Sequence, residues 1–179
     1  MEILYSDKDI VSCIKPVGVD AEKQMIELLK DELKGEFFPV HRLDLNVSGV
    51  MIYARNKHTA AALSKIIQDG QMIKEYVAMV HGEVDEAGDW EDLLWKDSKK
   101  NKVFVVKRQR GGVKKARLEF KRLSAGESSL VHIRLHTGRS HQIRVQFSSR
   151  GMPLVGERKY STLDDPCEIA LWSCYLRFA

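Results

Sequence analysis

Two short stretches of this 179-residue chain carry side chains whose types and spacing can do chemistry. The first is His41-Arg42-Leu43-Asp44-Leu45-Asn46-Val47-Ser48-Gly49, which sets one carboxylate, Asp44, in an Asn- and Gly-containing loop just ahead of an apolar run. A carboxylate there is either a turn former, bonding its own backbone, or a reagent acting as nucleophile or base. Arg42, two residues away, reads equally well as a surface charge. The second stretch is Thr137-Gly138-Arg139-Ser140-His141-Gln142-Ile143-Arg144, where donors crowd the start of a short helical pattern. Arg139, Ser140, His141, Gln142 and unpaired backbone N–H groups suit an anion or an extruded nucleobase. The other reading is plain N-terminal capping by Ser140 or Thr137, with Arg144 on the solvated face.

Competing chemistries lack their residues. The sequence contains no G-x-x-x-x-G-K-S/T, no G-x-G-x-x-G after a strand, no H-E-x-x-H and no G-x-S-x-G. His132 and His136 have no third metal ligand at a recognisable spacing, and Ser140 beside His141 has no partner to orient a base. Cys13, Cys167 and Cys174 form no C-x-x-C pair, so neither a disulfide framework nor a four-ligand zinc site is expected, and a reducing cytoplasm is the simplest home.

The elements that must position the two stretches follow from periodicity. Asp9 to Ile14 reads as a strand closed by the turn Lys15-Pro16-Val17-Gly18, and Ala21 to Lys34 as an amphipathic helix stopped by Gly35. Val50 to Ala54 reads as a strand, Lys57 to Gln68 as a helix and Met72 to His81 as a strand. Acidic residues from Glu83 to Asp92 read as a surface excursion. Val103 to Val106 and Ala116 to Leu123 read as the two arms of a basic hairpin joined through Arg110-Gly111-Gly112. Val131 to His136 alternates, burying Val131, Ile133 and Leu135 while His132, Arg134 and His136 share the other face. Ser140 to Arg150 reads as a short helix ended by Gly151, and Ile169 to Phe178 as a last strand. Helices and strands intermix without a repeating βαβ cycle, which predicts an α+β fold with a mixed, mainly antiparallel sheet. The length predicts one domain, residues 1–179.

Charge is polarised along the chain. The formal net charge is only +4, yet Lys96 to Arg122 holds twelve Lys/Arg against two acids, a local +10 that leaves −6 on the remainder. Such a cluster, Lys114 and Lys115 included, suits the phosphates of a polyanion; the alternative is a solvated hairpin that keeps the protein soluble. No apolar stretch approaches the eighteen or so residues of a membrane span, and the mixed-charge N-terminus lacks a signal peptide's apolar run.

Taken together, His41-Arg42-Leu43-Asp44 with Ser48-Gly49, Lys15-Pro16-Val17-Gly18 before it, Lys74-Glu75-Tyr76 after it, and Thr137 to Arg144 continuing through Gly151-Met152-Pro153-Leu154-Val155-Gly156 to Tyr160, resemble the RluA-type pseudouridine synthases. The resemblance runs from about Asp9 to the C-terminus. It implies a long mixed sheet flanked by helices, and an RNA-uridine isomerase that needs no metal or organic cofactor. By this resemblance Asp44 would be the catalytic aspartate, acting at the anomeric carbon or as base at the sugar. Arg42 would hold or replace the extruded nucleotide, Tyr76 would stack on the target base, and Arg144 would pair with Asp44. An Arg within reach keeps an Asp ionised and oriented. His41, Arg139, His141, Gln142, Lys114 and Lys115 complete the expected RNA-binding set. Val47 replaces the family's usual Thr and Glu157 its frequent Asp; neither change removes Asp44. The chain reads as a compact member without the small N-terminal RNA-binding domain that many relatives carry, a cytoplasmic monomer acting on structured rRNA or tRNA. Two other classes compete: a non-catalytic RNA-binding module using the basic segment, and a nucleoside or glycoside hydrolase, which usually wants a second positioned carboxylate.

Overall fold

The computed structural model describes residues 1–178. In chain order its elements are β1 (Glu2–Ser6), β2 (Ile10–Lys15), α1 (Gln24–Glu32), β3 (Phe38–Pro39), β4 (Ser48–Ala54), α2 (Lys57–Gln68), β5 (Ile73–His81), β6 (Ala87–Asp97), β7 (Lys102–Val106), β8 (Val113–Ser124), β9 (Ser128–Leu135), α3 (Gln142–Ser148) and β10 (Leu171–Arg177). This is the α+β fold of mixed, mainly antiparallel strands that the intermixed periodicities lead to. Contacts group the described residues into two compact units, one of residues 1–73 with 172–178, the other Lys74–Leu171.

In the first unit β4 is the central strand. It pairs antiparallel with β2 from Ile10↔Ala54 to Lys15↔Gly49, and β2 takes β1 on its far side. At its start β4 pairs in parallel with β10 through Trp172↔Ser48 and Ser173↔Gly49, and at its end antiparallel with β3. With neighbours on both edges the strand is buried almost throughout, which is why it reads as a continuous apolar run. Gly49 is required here: its φ is +123°, and a Cβ would lie 2.3 Å from the Ser173 carbonyl oxygen. Helix α2 covers Ile52, Ala54 and Met72 with Leu63, backed by Ile66, Ile67, Leu176 and Phe178. The Asn56 side chain caps α2 by accepting the Thr59 N–H at 2.8 Å and donates to Asp9 at 3.0 Å. Asn56→Ala is expected to lower stability by about 1 kcal/mol, read by urea unfolding, because it removes this cap. Helix α1 is shorter than its periodicity suggests. Asp20 Oδ1 accepts the N–H groups of Glu22 and Lys23 in a turn that delays the helix, and Leu33 is already extended.

In the second unit the order is β5-β9-β8-β6-β7, antiparallel at every step. Helix α3 packs on one face, where Phe147 meets Trp90 and Phe120 at centroid distances of 4.7 and 5.6 Å, and Val145 joins Leu94, Val103 and Ala116. Two expectations fail here. The acidic stretch from Glu83 is no excursion, since from Ala87 it forms the eleven-residue β6. Nor do β7 and β8 form a hairpin with each other, because β6 lies between them and pairs with both. The physical reason is charge complementarity across one face: Arg117 binds Asp89 at 2.7 Å and Lys115 binds Glu91 at 3.2 Å. Acidic β6 is the partner that a basic β8 accepts. The β9 alternation is as read: Val131, Ile133 and Leu135 are buried, while His132 pairs with Glu75 and His136 with Glu119 on the opposite face.

Candidate functional site

The Asp44 loop belongs to the first unit and is built on a buried lysine. Along β2, Val11, Cys13 and Lys15 fall on the buried face, so the strand carries its last side chain, a lysine, into the interior. Lys15 is fully buried, and its Nζ donates to the carbonyl oxygens of Pro16 and Val19 at 2.8 Å and of Leu45 at 3.1 Å. Three donors on one ammonium thus tie the Pro16-to-Val19 turn to the residue that follows Asp44. The Gly18 N–H reinforces the tie by donating to the same Leu45 carbonyl at 2.9 Å. Burial lowers the Lys15 pKa to about 8, against the opposing pull of the Asp20 and Asp44 charges.

The far side of the loop is fixed by β4. Ser48 Oγ donates to the Lys15 carbonyl at 2.6 Å, and the Val47 N–H donates to the Asp44 carbonyl at 3.0 Å, closing a turn. Leu43 and Val47, 4% and 2% exposed, anchor the loop on either side of the partly exposed Asp44. Val47 therefore uses its branched side chain for packing where a threonine hydroxyl would need a partner. His41 Nε2 accepts the Ile52 N–H at 3.1 Å, which places that ring's proton on Nδ1. Arg42 lies at the surface, its ion pair with Glu22 at 3.2 Å exposed on both sides and hence readily exchanged for another anion.

The second unit holds the arginine cluster. Arg144 of α3 is buried and forms a bidentate pair with Glu157, Nε to Oε2 at 2.6 Å and Nη2 to Oε1 at 2.9 Å. Glu157 also accepts the backbone N–H groups of Lys159 at 2.7 Å and Tyr160 at 3.2 Å. Burial pushes its carboxyl up, but the Arg144 hydrogen bond and charge with those two N–H groups outweigh it and hold the pKa below the ordinary value. The Tyr160 ring lies 5.6 Å from the guanidinium carbon. Its hydroxyl accepts the Val103 N–H at 2.8 Å and shares a hydrogen bond with His141 Nδ1 at 2.6 Å. Tyr160→Phe is expected to cost about 1–2 kcal/mol in urea unfolding, because the buried Val103 N–H loses its acceptor.

The donor-rich stretch ahead of Arg144 spends much of its capacity internally. Neither Ser140 nor Thr137 caps α3, whose preceding residue His141 is left-handed at φ +52°. Gln142 is buried: its Oε1 accepts from the Thr137 hydroxyl and the Arg139 N–H, and its Nε2 donates to the Arg117 carbonyl. Arg139 stays exposed, with Nε on the Lys115 carbonyl at 2.8 Å. Tyr76 on β5 is 7% exposed and lies opposite Ile133. Successive strand residues alternate faces, so Lys114 and Lys115 point apart, and Lys115 is the one engaged by Glu91. The twelve-cation segment is thus partly neutralised along its strands, Arg122 also pairing with Glu83 at 2.9 Å. Lys102 and Arg110 lie over the rings of Tyr160 and Trp95 at 5.5 and 5.0 Å.

Lys15, Glu157 and Tyr160 were not singled out from the sequence as positioning groups. For Lys15 a signal was present, a lysine in phase with an apolar alternation. For Glu157 and Tyr160 the signal was their place in the motif that runs on from Gly151, which marks the positions but not their partners on other elements. Among the described residues no group of His, Cys, Asp or Glu could hold a metal ion, and no helix is long and apolar enough to cross a membrane.

Comparison with known proteins places these motifs. The sequence pattern of the family described as RNA pseudouridylate synthase matches residues 9–149. The ribosomal large subunit pseudouridine synthase D of Borreliella burgdorferi is 32% identical over 181 residues, 90% of this chain but 55% of that protein. The dual-specificity RNA pseudouridine synthase RluA of Escherichia coli is 31% identical over 171 residues, 89% of this chain and 77% of that protein. The chain thus spans between about half and three quarters of these curated relatives. Among solved structures, human RNA pseudouridylate synthase domain containing 1 superposes with a TM-score of 0.89 at 24% identity, covering 99% of this chain and 78% of that one.

Proposed function

Because the chain belongs to the RNA pseudouridylate synthase family, we propose that it isomerises uridine to pseudouridine in structured RNA, rRNA or tRNA, with Asp44 as the reagent. The observation that carries this reading is the Asp44 loop. One carboxylate is presented from a turn whose flanks are held by the buried Lys15 ammonium and the Ser48 hydroxyl. In the reaction the C1′–N1 bond of uridine breaks with its electron pair on N1, the uracil turns, a C1′–C5 bond forms, the hydrogen on C5 leaves as a proton and N1 takes up a proton. Asp44 either attacks C1′ and is later displaced, or removes a sugar proton and returns it; both routes balance without an external reagent.

The other residues take supporting roles in this proposal. Tyr76 offers a ring on which the extruded base stacks. Arg144, oriented by Glu157, supplies fixed positive charge for the reacting anions. Arg42 and His41 lie on the loop's approach, Arg139, His141 and Gln142 on the α3 approach. The cations of the Lys96-to-Arg122 segment that no acid engages, Lys114 among them, hold RNA phosphates. The whole of residues 1–179 acts as one catalytic domain, as a monomer in the cytoplasm, and it needs no cofactor. The test is release of tritium to water from unmodified total RNA labelled at C5 of uridine. Release at a rate proportional to protein supports the isomerase. Salt-sensitive binding with no release from any RNA would make the protein a binding module, and free uracil would make it a hydrolase.

A further inference from the structure

On β5 the residues Lys74, Tyr76, Ala78 and Val80 alternate onto one face, where Tyr76, Ala78 and Val80 are 7%, 1% and 0% exposed. Lys74 is therefore a cation at the end of an apolar row, partly buried and directly opposite Leu135 of β9. Among the described residues no acid pairs with it and no carbonyl accepts from its ammonium, in contrast to Lys15, which has three acceptors. Its Nζ lies against the Gly138 backbone, where a Cβ would come within 3.0 Å, so the absence of a side chain at Gly138 leaves the ammonium its place. Burial lowers the Lys74 pKa, and the charge of a second cation, Arg139, adds to it. Burial and the Arg139 charge both disfavour the Lys74 ammonium, and an anion bound by both side chains would offset both costs.

We propose that Lys74 and Arg139 bind one phosphodiester of the RNA, the one flanking the uridine whose base stacks on Tyr76. Lys74 and Tyr76 share a strand face two residues apart, about 6.7 Å along the chain, and a nucleotide's phosphate lies one ribose away from its base. The placement lets a single nucleotide touch both. The proposal rests on the RNA reading of the preceding subsection, but its test does not depend on isomerase activity.

The probe is the dinucleoside phosphate UpU, with inorganic phosphate as the competing source of the same chemistry, added to the full chain carrying lysine labelled with ¹³C at Cε. UpU is expected to raise the titration midpoint of Lys74 at concentrations where inorganic phosphate leaves it unmoved. In parallel, Lys74→Met is expected to reduce the slope of log K against log salt for binding of mixed tRNA by about one phosphate contact, roughly 0.7–0.9. Lys74→Arg should restore the slope, which a merely space-filling lysine would not require. Arg139→Gln combined with Lys74→Met should lower affinity by less than the product of the two single effects, because both side chains hold the same group. An unmoved Lys74 resonance, an unchanged slope in Lys74→Met, or equal shifts with inorganic phosphate would each overturn the assignment. Tritium release with an unmoved Lys74 would leave the isomerase standing without this contact; a shifted Lys74 with no release would do the reverse.

Discussion

Asp44→Ala and Asp44→Asn are both expected to abolish tritium release from C5-labelled RNA, by roughly 10³-fold or more, which is the scale for removing a covalent or general-base reagent. Asparagine keeps the size and the hydrogen-bonding shape of aspartate but has neither the charge nor the basicity. Equal losses in the two variants therefore assign the effect to the carboxylate rather than to the loop. Asp44→Glu should fail almost as badly: the loop is tied by Lys15 and Ser48 on its two sides and cannot retreat by a methylene, and a displacement of about 1 Å suffices to cost 10²-fold. The control is RNA binding. Since the cations that would meet phosphates lie elsewhere, the salt dependence of binding should be that of the unaltered protein. Full release by Asp44→Asn would remove Asp44 from the mechanism.

How much of this was legible in the sequence depends on where each residue's partners lie. Elements whose cause is local were readable: the β9 alternation, the α2 helix, and the turn after Lys15. Apart from the Asp20 turn that delays α1, the errors fell where the cause is a distant partner. Glu83 to Asp92 looks like a solvated acidic stretch because its apolar positions, Val84, Ala87 and Trp90, are diluted by acids; two of those acids, Asp89 and Glu91, find Arg117 and Lys115 across the sheet. Once β6 intervenes, the apparent β7–β8 hairpin disappears, and three cations of the +10 segment, Lys115, Arg117 and Arg122, are paired with acids. In the candidate site the motif residues were visible by type, whereas the groups that hold them were not. Lys15 and Lys74 were detectable in principle, as lysines in phase with buried alternations on β2 and β5. Lysine in such a row either finds several acceptors, as Lys15 does, or waits for an anion, as we infer for Lys74. Nothing in the sequence near Glu157 announces that its carboxylate grips Arg144 thirteen residues earlier.

That pair gives the largest expected effect on stability. Glu157→Ala should destabilise the protein by about 3–5 kcal/mol, because it removes the carboxylate that pairs bidentately with the buried Arg144 guanidinium. It also deprives the Lys159 and Tyr160 N–H groups of their acceptor. At roughly 2–4 °C per kcal/mol for a chain of this size, the midpoint should fall by roughly 6–20 °C. Glu157→Gln, which keeps an acceptor but not the charge, should cost less, and Arg144→Met added to Glu157→Ala should recover part of the loss by removing a buried cation that has lost this carboxylate. The pH dependence carries the sign of the pair. The Glu157 carboxyl titrates below its unfolded value, so in the acid range the unfolded chain binds the extra proton. The stabilisation is then complete above the unfolded pKa, about 4.3 for Glu, and is lost as the pH falls from there through the folded pKa. Thermal midpoints measured between pH 7 and pH 3 should converge for the unaltered protein and Glu157→Gln as the pH drops, and stay well apart above pH 5. Coincident curves from pH 7 to pH 3 would mean that the Glu157 charge contributes nothing to folding, and a role for Glu157 in orienting Arg144 would then have to be carried by activity alone.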